Sequence, residues 1–441
     1  MLKRAGIRAI HTRTANPLAP LHRSHRPSAA LRLVLALTAS QAVSAFAPPL
    51  PAAAPRRHTS SSPSSPAFRM AAAPAVCSTS LKGFLQASKT AVGGMLASPH
   101  PDKKMLLVMG NEASDCDSIV CAVVAAYGIS QSIIAGVGAY DVVVPVINIP
   151  RDDLDLRQDA VLLLKEARVD PADLVFFPEL SEGGVRALVE RKALGLMLVD
   201  HNKLGVAQEW LAPAVVGVLD HHDDTGSYSE AAPRVVEDSV GSCSSIVAQA
   251  LHGDGLDTPR TFTQRFGEDV SVLLGGALVL DTRLFKGKCA PLDARVGAAL
   301  GYTVDGVPNG EATYFYDRLL HARTDVRGLT SPQKLRKDYK VWGKGAKAYG
   351  IATVPASLKA WGEDDEGFAD CVVRMAAGEG LGLYLVMLTF EEEGVFRRQI
   401  LVHATDKKVL DECCTHLMGG DHPAVLQASG KGSLELERIE L

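Results

Sequence analysis

Four short stretches hold the residues able to do chemistry. Gly110-Asn111-Glu112-Ala113-Ser114-Asp115-Cys116-Asp117-Ser118 follows the apolar run 105–109. Asp200-His201-Asn202 follows 194–199, Asp220-His221-His222-Asp223-Asp224 follows 215–219, and Asp281-Thr282 closes the longer run 272–280. An acid at a strand end is ordinarily a turn former or a helix cap, and Asp117-Ser118 alone reads as a cap. Capping does not explain acids recurring with imidazoles at several such places. Carboxylates with imidazoles suit Mn, Mg, Co or Zn, and the absence of thiolates other than Cys116 argues against a structural zinc site. Two ions roughly 3.5–4 Å apart need a bridging carboxylate and about three terminal ligands each, which this set supplies.

Something must bring these stretches together. Apolar runs at 105–109, 142–147, 174–177, 194–199 and 215–219 alternate with helical patterns at 118–127, 156–168 and 184–192, and 272–280 is long enough for a helix. Strands alternating with helices require crossover connections, hence an α/β fold with a parallel sheet flanked by helices. Ligands of such sheets bind beyond the carboxyl ends of the strands, and all four stretches are expected to aim their donors at that one edge.

The triplet Asp220-His221-His222, with the other three motifs in order, resembles the DHH phosphoesterase superfamily. More closely, residues 105–398 are similar to the branch of eukaryotic exopolyphosphatase, prune and the manganese-dependent family II pyrophosphatases. Gly110 to Ser118 resembles the exopolyphosphatase and prune form of the first motif, and Asn148-Ile149-Pro150-Arg151 with Leu156-Arg157 resembles a segment of that branch. Leu198-Val199-Asp200-His201-Asn202 fits the second motif, and Gly241-Ser242-Cys243-Ser244 opening a helix resembles the stretch after the triplet. The resemblance implies that Asn111, Asp115, Asp117, Asp200, His221 and Asp281 serve the metals, with Asp200 bridging, and that His222 faces substrate phosphate. The implied cofactor is two divalent ions, Mn2+ or Mg2+, with Co2+ as an alternative.

Asn111 stands where the pyrophosphatases carry a histidine ligand, matching the exopolyphosphatase form and leaving the first metal less tightly held. Asp281-Thr282-Arg283-Leu284-Phe285-Lys286 resembles the pyrophosphatase fourth motif instead. Vertebrate prune proteins carry arginine at the end of the triplet; the intact His222 favours hydrolysis over a scaffold. The expected activity is exopolyphosphatase, releasing orthophosphate from inorganic polyphosphate. Pyrophosphatase is the alternative, and a non-enzymatic prune-like interaction protein is less favoured.

A hinge is expected at 291–308, between a DHH domain at 79–300 and a smaller α+β DHH-associated domain at 309–441. In the second domain Leu335-Arg336-Lys337-Asp338-Tyr339-Lys340 is expected to open a helix and Phe396-Arg397-Arg398-Gln399-Ile400 to lie in a strand. Basic faces are ordinarily solvated surface. The resemblance implies that Arg336, Lys337, Lys340, Arg397 and Arg398 contact phosphate as this domain closes over the metals. Gly419-Gly420-Asp421-His422-Pro423 loosely echoes the Gly-Gly-Gly-His of oligoribonucleases and cyclic-dinucleotide phosphodiesterases, but the third glycine is missing and no aromatic base platform is apparent.

Charge narrows the partners. The chain has 441 residues with a formal net charge of −4, yet no acid precedes Asp102 and ten Lys and Arg lie in residues 1–78. The remainder carries 36 basic against 50 acidic residues, about −14. Such a body is a poor nucleic-acid binder, and an anionic polyphosphate or pyrophosphate needs metals or a few focused cations. Residues 1–78 read as a targeting presequence without a fold of its own. A basic lead runs into the apolar 33–37, small residues follow, and then comes a Ser-, Pro- and Ala-rich stretch. Ala42-Val43-Ser44-Ala45-Phe46-Ala47-Pro48 resembles the junction of bipartite plastid presequences in algae; mitochondrial and cytoplasmic addresses are the alternatives. No segment has the roughly 18 apolar residues of a membrane helix. Eight cysteines without a CxxC pair read as reduced thiols, with Cys413 and Cys414 as core residues. Oligomeric state is not legible.

Overall fold

The computed structural model describes residues 7–14, 79–97, 102–253, 256, 261–343, 348–419 and 424–428. It comprises two compact units, one covering 66–325 and the other 326–441 with the N-terminal segment, from which β1 (Ile7–Thr14) comes. No regular element was expected in residues 1–78, and β1 is the one described there; 15–78, with the plastid-like junction, lies outside the described residues, as does 420–423 of the Gly-Gly echo.

The larger unit holds β2 (Met105–Met109), β3 (Val142–Ile147), β4 (Val175–Phe176), β5 (Leu194–Val199), β6 (Val215–Asp220) and β7 (Arg234–Val236). They form one sheet in the order β4-β3-β2-β5-β6-β7, with every neighbouring pair parallel. All five residues of β2 are buried: Leu106 and Val108 enter the core on one face, Met105, Leu107 and Met109 the core on the other. Burial on both faces is why the strands read as continuous apolar runs rather than alternating ones.

The winding reverses between β2 and β5. From β2 the chain moves outward to β3 and β4, returns to β5 on the other flank, and continues through β6 to β7. Crossovers then leave in opposite directions and open a crevice at the carboxyl edge. Met109 pairs level with Leu198, and Val199 with Leu219, so residues 110–118, 200–202 and 220–224 emerge side by side.

The helix Cys116–Ser130 is buried from Cys116 to Ile129 and packs against Cys243–His252 and Glu268–Asp281, which carries Asp281 in from a distant part of the chain. The expected hinge is instead the helix Pro291–Ala299 and a hairpin of β8 (Thr303–Val304) and β9 (Val307–Pro308); the boundary between the units falls after Asp325. Pro291 at the first helical position starts a helix rather than breaking one.

The second unit adds β10 (Tyr339–Trp342), β11 (Tyr349–Val354), β12 (Leu383–Glu392), β13 (Val395–Ala404) and β14 (Ala424–Ala428), in the order β10-β11-β12-β13-β1-β14. Only the β11–β12 pair is parallel. Phe396 to Ile400 lies in β13 as expected, and Cys413 and Cys414 are buried in the core. Leu335-Arg336-Lys337 closes the helix Ser331–Lys337 rather than opening one, and the strand β10 follows. The capping box of Thr330 and Gln333 sets the true start upstream.

Candidate metal centre

Each residue of the centre is placed by a local device. Gly110 leaves β2 so close to the next helix that a Cβ there would stand 2.2 Å from Ser118 Oγ. Asp115 is the N-cap of the helix Cys116–Ser130, accepting from Ser118 N, so the cap reading given to Asp117 belongs two residues earlier. Asp117 lies one position past the first helical residue and crosses to the N-terminus of Cys243–His252. Its Oδ1 accepts from Ser242 Oγ (3.0 Å), Ser244 N (3.0 Å) and Ser244 Oγ, and its Oδ2 from Cys243 N (2.6 Å). Cys121 Sγ also donates to Oδ1 (3.4 Å), so positive helix-end charge and five donors hold that carboxylate while Oδ2 keeps a lone pair.

Asp200 is 1% exposed and adopts a left-handed backbone, φ 61°, at the end of β5. That conformation costs a non-glycine residue on the order of 1 kcal/mol and is characteristic of functional sites. Its Oδ2 accepts from Asn111 Nδ2 (2.9 Å); its Oδ1 is buried with no hydrogen-bond partner. His221 Nε2 stands 3.2 Å from this Oδ1 and 3.9 Å from Asp117 Oδ2. His221 Nδ1 is 3.2 Å from the Val240 carbonyl, so in the neutral ring Nδ1 carries the proton and Nε2 presents a lone pair. Two electron-pair donors thus face each other, an arrangement that fits a shared cation. One ligand atom each of Asp200, His221 and His222 lies within 4.8 Å of the others.

The charges fit a cation too. Burial, then the charges of Asp115 and Asp117, push Asp200 well above the usual carboxylate range. Burial and then Asp117 raise Asp115, and burial, Asp117 and Asp115 raise Asp281 well above the usual range. Arg323, absent from the sequence reading, partly offsets this: its Nε holds Asp159 at 2.7 Å and its Nη2 lies 3.9 Å from Asp281.

A pH dependence follows. Carboxylates with raised folded pKa values bind protons more tightly when folded, so without metal they cost stability at neutral pH and return it on acidification toward their unfolded values. His222, raised by its Asp220 bond, acts in the same direction; buried His201, lowered by burial, acts in the opposite one. With EDTA the melting temperature is expected to rise between about pH 7 and pH 5, and saturating Mn2+ should remove most of that gain. A flat or falling metal-free profile over that interval, followed by scanning fluorimetry, contradicts the shared-charge centre.

Asp220 is fully buried and positions its neighbours. Its Oδ1 accepts from His221 N (2.8 Å), His222 N (3.3 Å) and His222 Nδ1 (2.8 Å), its Oδ2 from Asn202 Nδ2 (2.5 Å). The His222 side chain is 57% exposed, and with Nδ1 committed to Asp220 its Nε2 is the nitrogen left for a ligand.

Two expectations change. Asn111, expected among the metal ligands, has its amide oxygen engaged by the N–H groups of Ala113 (2.9 Å) and Ser114 (3.0 Å) and its amide nitrogen on Asp200. Both lone pairs are used, so in this arrangement it orients Asp200. Arg397 and Arg398 do not form one patch either. Successive strand residues point to opposite faces; Arg397 is buried with Nε 3.0 Å from Glu392 Oε2, whereas Arg398 is half-buried with its guanidinium 5.1 Å from the Phe396 ring centre. Arg336 and Lys340 are exposed and Lys337 half-buried. Arg151, in the branch-specific segment, clamps Glu179 and the carbonyls of Pro171 and Leu174.

Comparison with known proteins places the chain. Residues 105–271 match the DHH family, N-terminal domain, and residues 317–438 match the DHHA2 domain. Exopolyphosphatase PRUNE1 of Rattus norvegicus is 33% identical over 275 residues, 60% of this chain and 55% of that protein. The Homo sapiens protein of the same name is 31% identical over 278 residues, 61% and 56%. The manganese-dependent inorganic pyrophosphatase of Methanocaldococcus jannaschii is 25% identical over 252 residues, 57% and 71%. The chain thus spans a little over half the length of these mammalian relatives. With a DHH domain followed by a DHHA2 domain and the four motifs meeting at one sheet edge, the chain belongs to the DHH phosphoesterase superfamily, in its exopolyphosphatase and prune branch.

Proposed function

We propose that this chain is a metal-dependent phosphoanhydride hydrolase that releases orthophosphate from inorganic polyphosphate. The observation that carries the reading is the partnerless Asp200 Oδ1 facing the His221 Nε2 lone pair among carboxylates that repel one another. The names of the mammalian relatives support the substrate class. In this reading Asp115, Asp117, Asp200, His221 and Asp281 would hold two divalent ions, Mn2+ or Mg2+, with Asp200 serving both and Asn111 orienting it. The ions supply Lewis acidity for activating water and for neutralising phosphoryl oxygens. His222, fixed by Asp220, donates from Nε2 to a phosphoryl oxygen. Arg336, Lys337, Lys340 and Arg398 bind the departing phosphates, while Arg397 stays with Glu392.

Pyrophosphatase is the second reading, favoured by the Asp281 to Lys286 motif and by the archaeal relative. Orthophosphate release by the purified chain from pyrophosphate, tripolyphosphate and long polyphosphate, each with Mg2+ or Mn2+, separates the two. The first reading requires the two longer substrates to have the higher kcat/KM. A chain that binds metal and hydrolyses none of them is a prune-like interaction protein instead.

We further propose a plastid address, from the basic lead and the Phe46-Ala47-Pro48 junction. A fluorescent fusion of residues 1–78 should enter the plastid and Phe46→Ala should divert it; unchanged import of the mutant removes the role of Phe46.

A further inference from the structure

The turn that holds Asp117 is gripped from its other side by a second buried carboxylate. Asp293 is fully buried. Its Oδ2 accepts from Ala290 N (2.6 Å), which is the ordinary capping contact of the third residue of a helix, here Pro291–Ala299. Capping needs nothing more, yet the same oxygen accepts from Gly241 N (2.8 Å) and Oδ1 accepts from Ser245 Oγ (2.7 Å). Both partners flank Ser242-Cys243-Ser244, three residues whose donors hold Asp117.

Asp293 also fastens the loop that begins at Asp281. Arg283, Leu284 and Phe285 are consecutive left-handed residues, φ 49°, 57° and 60°. Each costs roughly 1–2 kcal/mol, and such a turn persists only when its surroundings hold it. Near its start Thr282 Oγ1 accepts from Phe285 N; at its far end stand Lys288 and Ala290. Lys288 Nζ donates to the His221 carbonyl (3.0 Å), and a Cβ on Gly241 would stand 2.2 Å from the Lys288 carbonyl oxygen, so loop and turn are packed backbone to backbone.

We propose that Asp293 is a positioning residue for the metal centre, locking the Gly241–Ser245 turn and the 282–290 loop together so that Asp117, His221 and Asp281 keep the spacing two cations require. The proposal rests on the metal reading above. Full-length wild type, Asp293→Asn and Ser245→Ala are titrated with Mn2+ alone by calorimetry, with melting temperatures alongside. Asp293→Asn turns one buried acceptor into a donor facing donors and should weaken Mn2+ binding about tenfold or more, the scale of loss when groups behind metal ligands are removed. Ser245→Ala leaves the Ala290 cap intact and should weaken binding about two- to fivefold, which keeps the test decisive if Asp293→Asn does not fold. With Mn2+ saturating, kcat for tripolyphosphate should fall while KM stays near wild type. Mn2+ affinity unchanged from a binding wild type, in Ser245→Ala and in any folded Asp293→Asn, overturns the proposal and leaves Asp293 a helix cap. A wild type that takes up no Mn2+ overturns the metal reading and this proposal with it.

Discussion

Asp200→Ala will abolish hydrolysis and lower metal content while the fold persists. Asp200 stands where the loop ends of β2, β5 and β6 meet, with Asn111 on one oxygen and His221 and His222 approaching the other at 3.2 and 3.8 Å. In the proposed reading Asp200 serves both ions, and its neighbours, which already face Asp117, Asp220 or backbone, cannot replace it. The loss should exceed about a thousandfold in kcat/KM, or ~4 kcal/mol of barrier. Stability of the metal-free protein should not follow, because the substitution removes a buried charge that repels Asp115 and Asp117. Parallel measurements of orthophosphate release, bound Mn2+ and melting temperature decide it. Near-normal turnover with two bound ions contradicts the bridging assignment.

Asp220→Asn will slow turnover about a hundredfold or more with metal content largely kept. Asp220 only accepts, from four donors, and an amide of the same shape must present an N–H where one of those donors already points. An unsatisfied buried donor costs about 1–3 kcal/mol, and the ring of His222 loses the bond that fixes which nitrogen faces the substrate. Groups that orient a ligand or an acid–base residue give losses of about ten- to a hundredfold, and more where the tautomer is lost. His221 retains its Val240 contact, so its Nε2 still faces Asp200. Turnover within about threefold of wild type would show that His222 needs no anchor.

The sequence alone determined the strands of the larger unit and the residue types at their ends. The runs at 105–109, 142–147 and 194–199 coincide with β2, β3 and β5 because a strand buried on both faces must be apolar throughout. β7 leaves no such mark in the sequence, because an edge strand of three half-buried residues needs no continuous apolar run. Motif order likewise pointed to Asp115, Asp117, Asp200, His221 and Asp281 as candidate metal ligands, and the structure sets His221 3.9 Å from Asp117 and 3.2 Å from Asp200.

Only the tertiary structure decided which side chains touch. That β5 lies beside β2 and not beside β4, and hence that Asp200 meets Asn111, depends on where the winding reverses, and strand composition is silent about order. The commitment of Asn111 to backbone N–H groups, the division of Arg397 from Arg398 and the buried grip of Asp293 on Gly241 and Ser245 are likewise matters of direction. Hydrogen bonds act over about 3 Å between residues that can lie far apart in the chain, such as Asn111 and Asp200, or Gly241 and Asp293. Residue type and spacing fix the chemistry a side chain offers, and the packing of helices and strands fixes the atom to which it is offered.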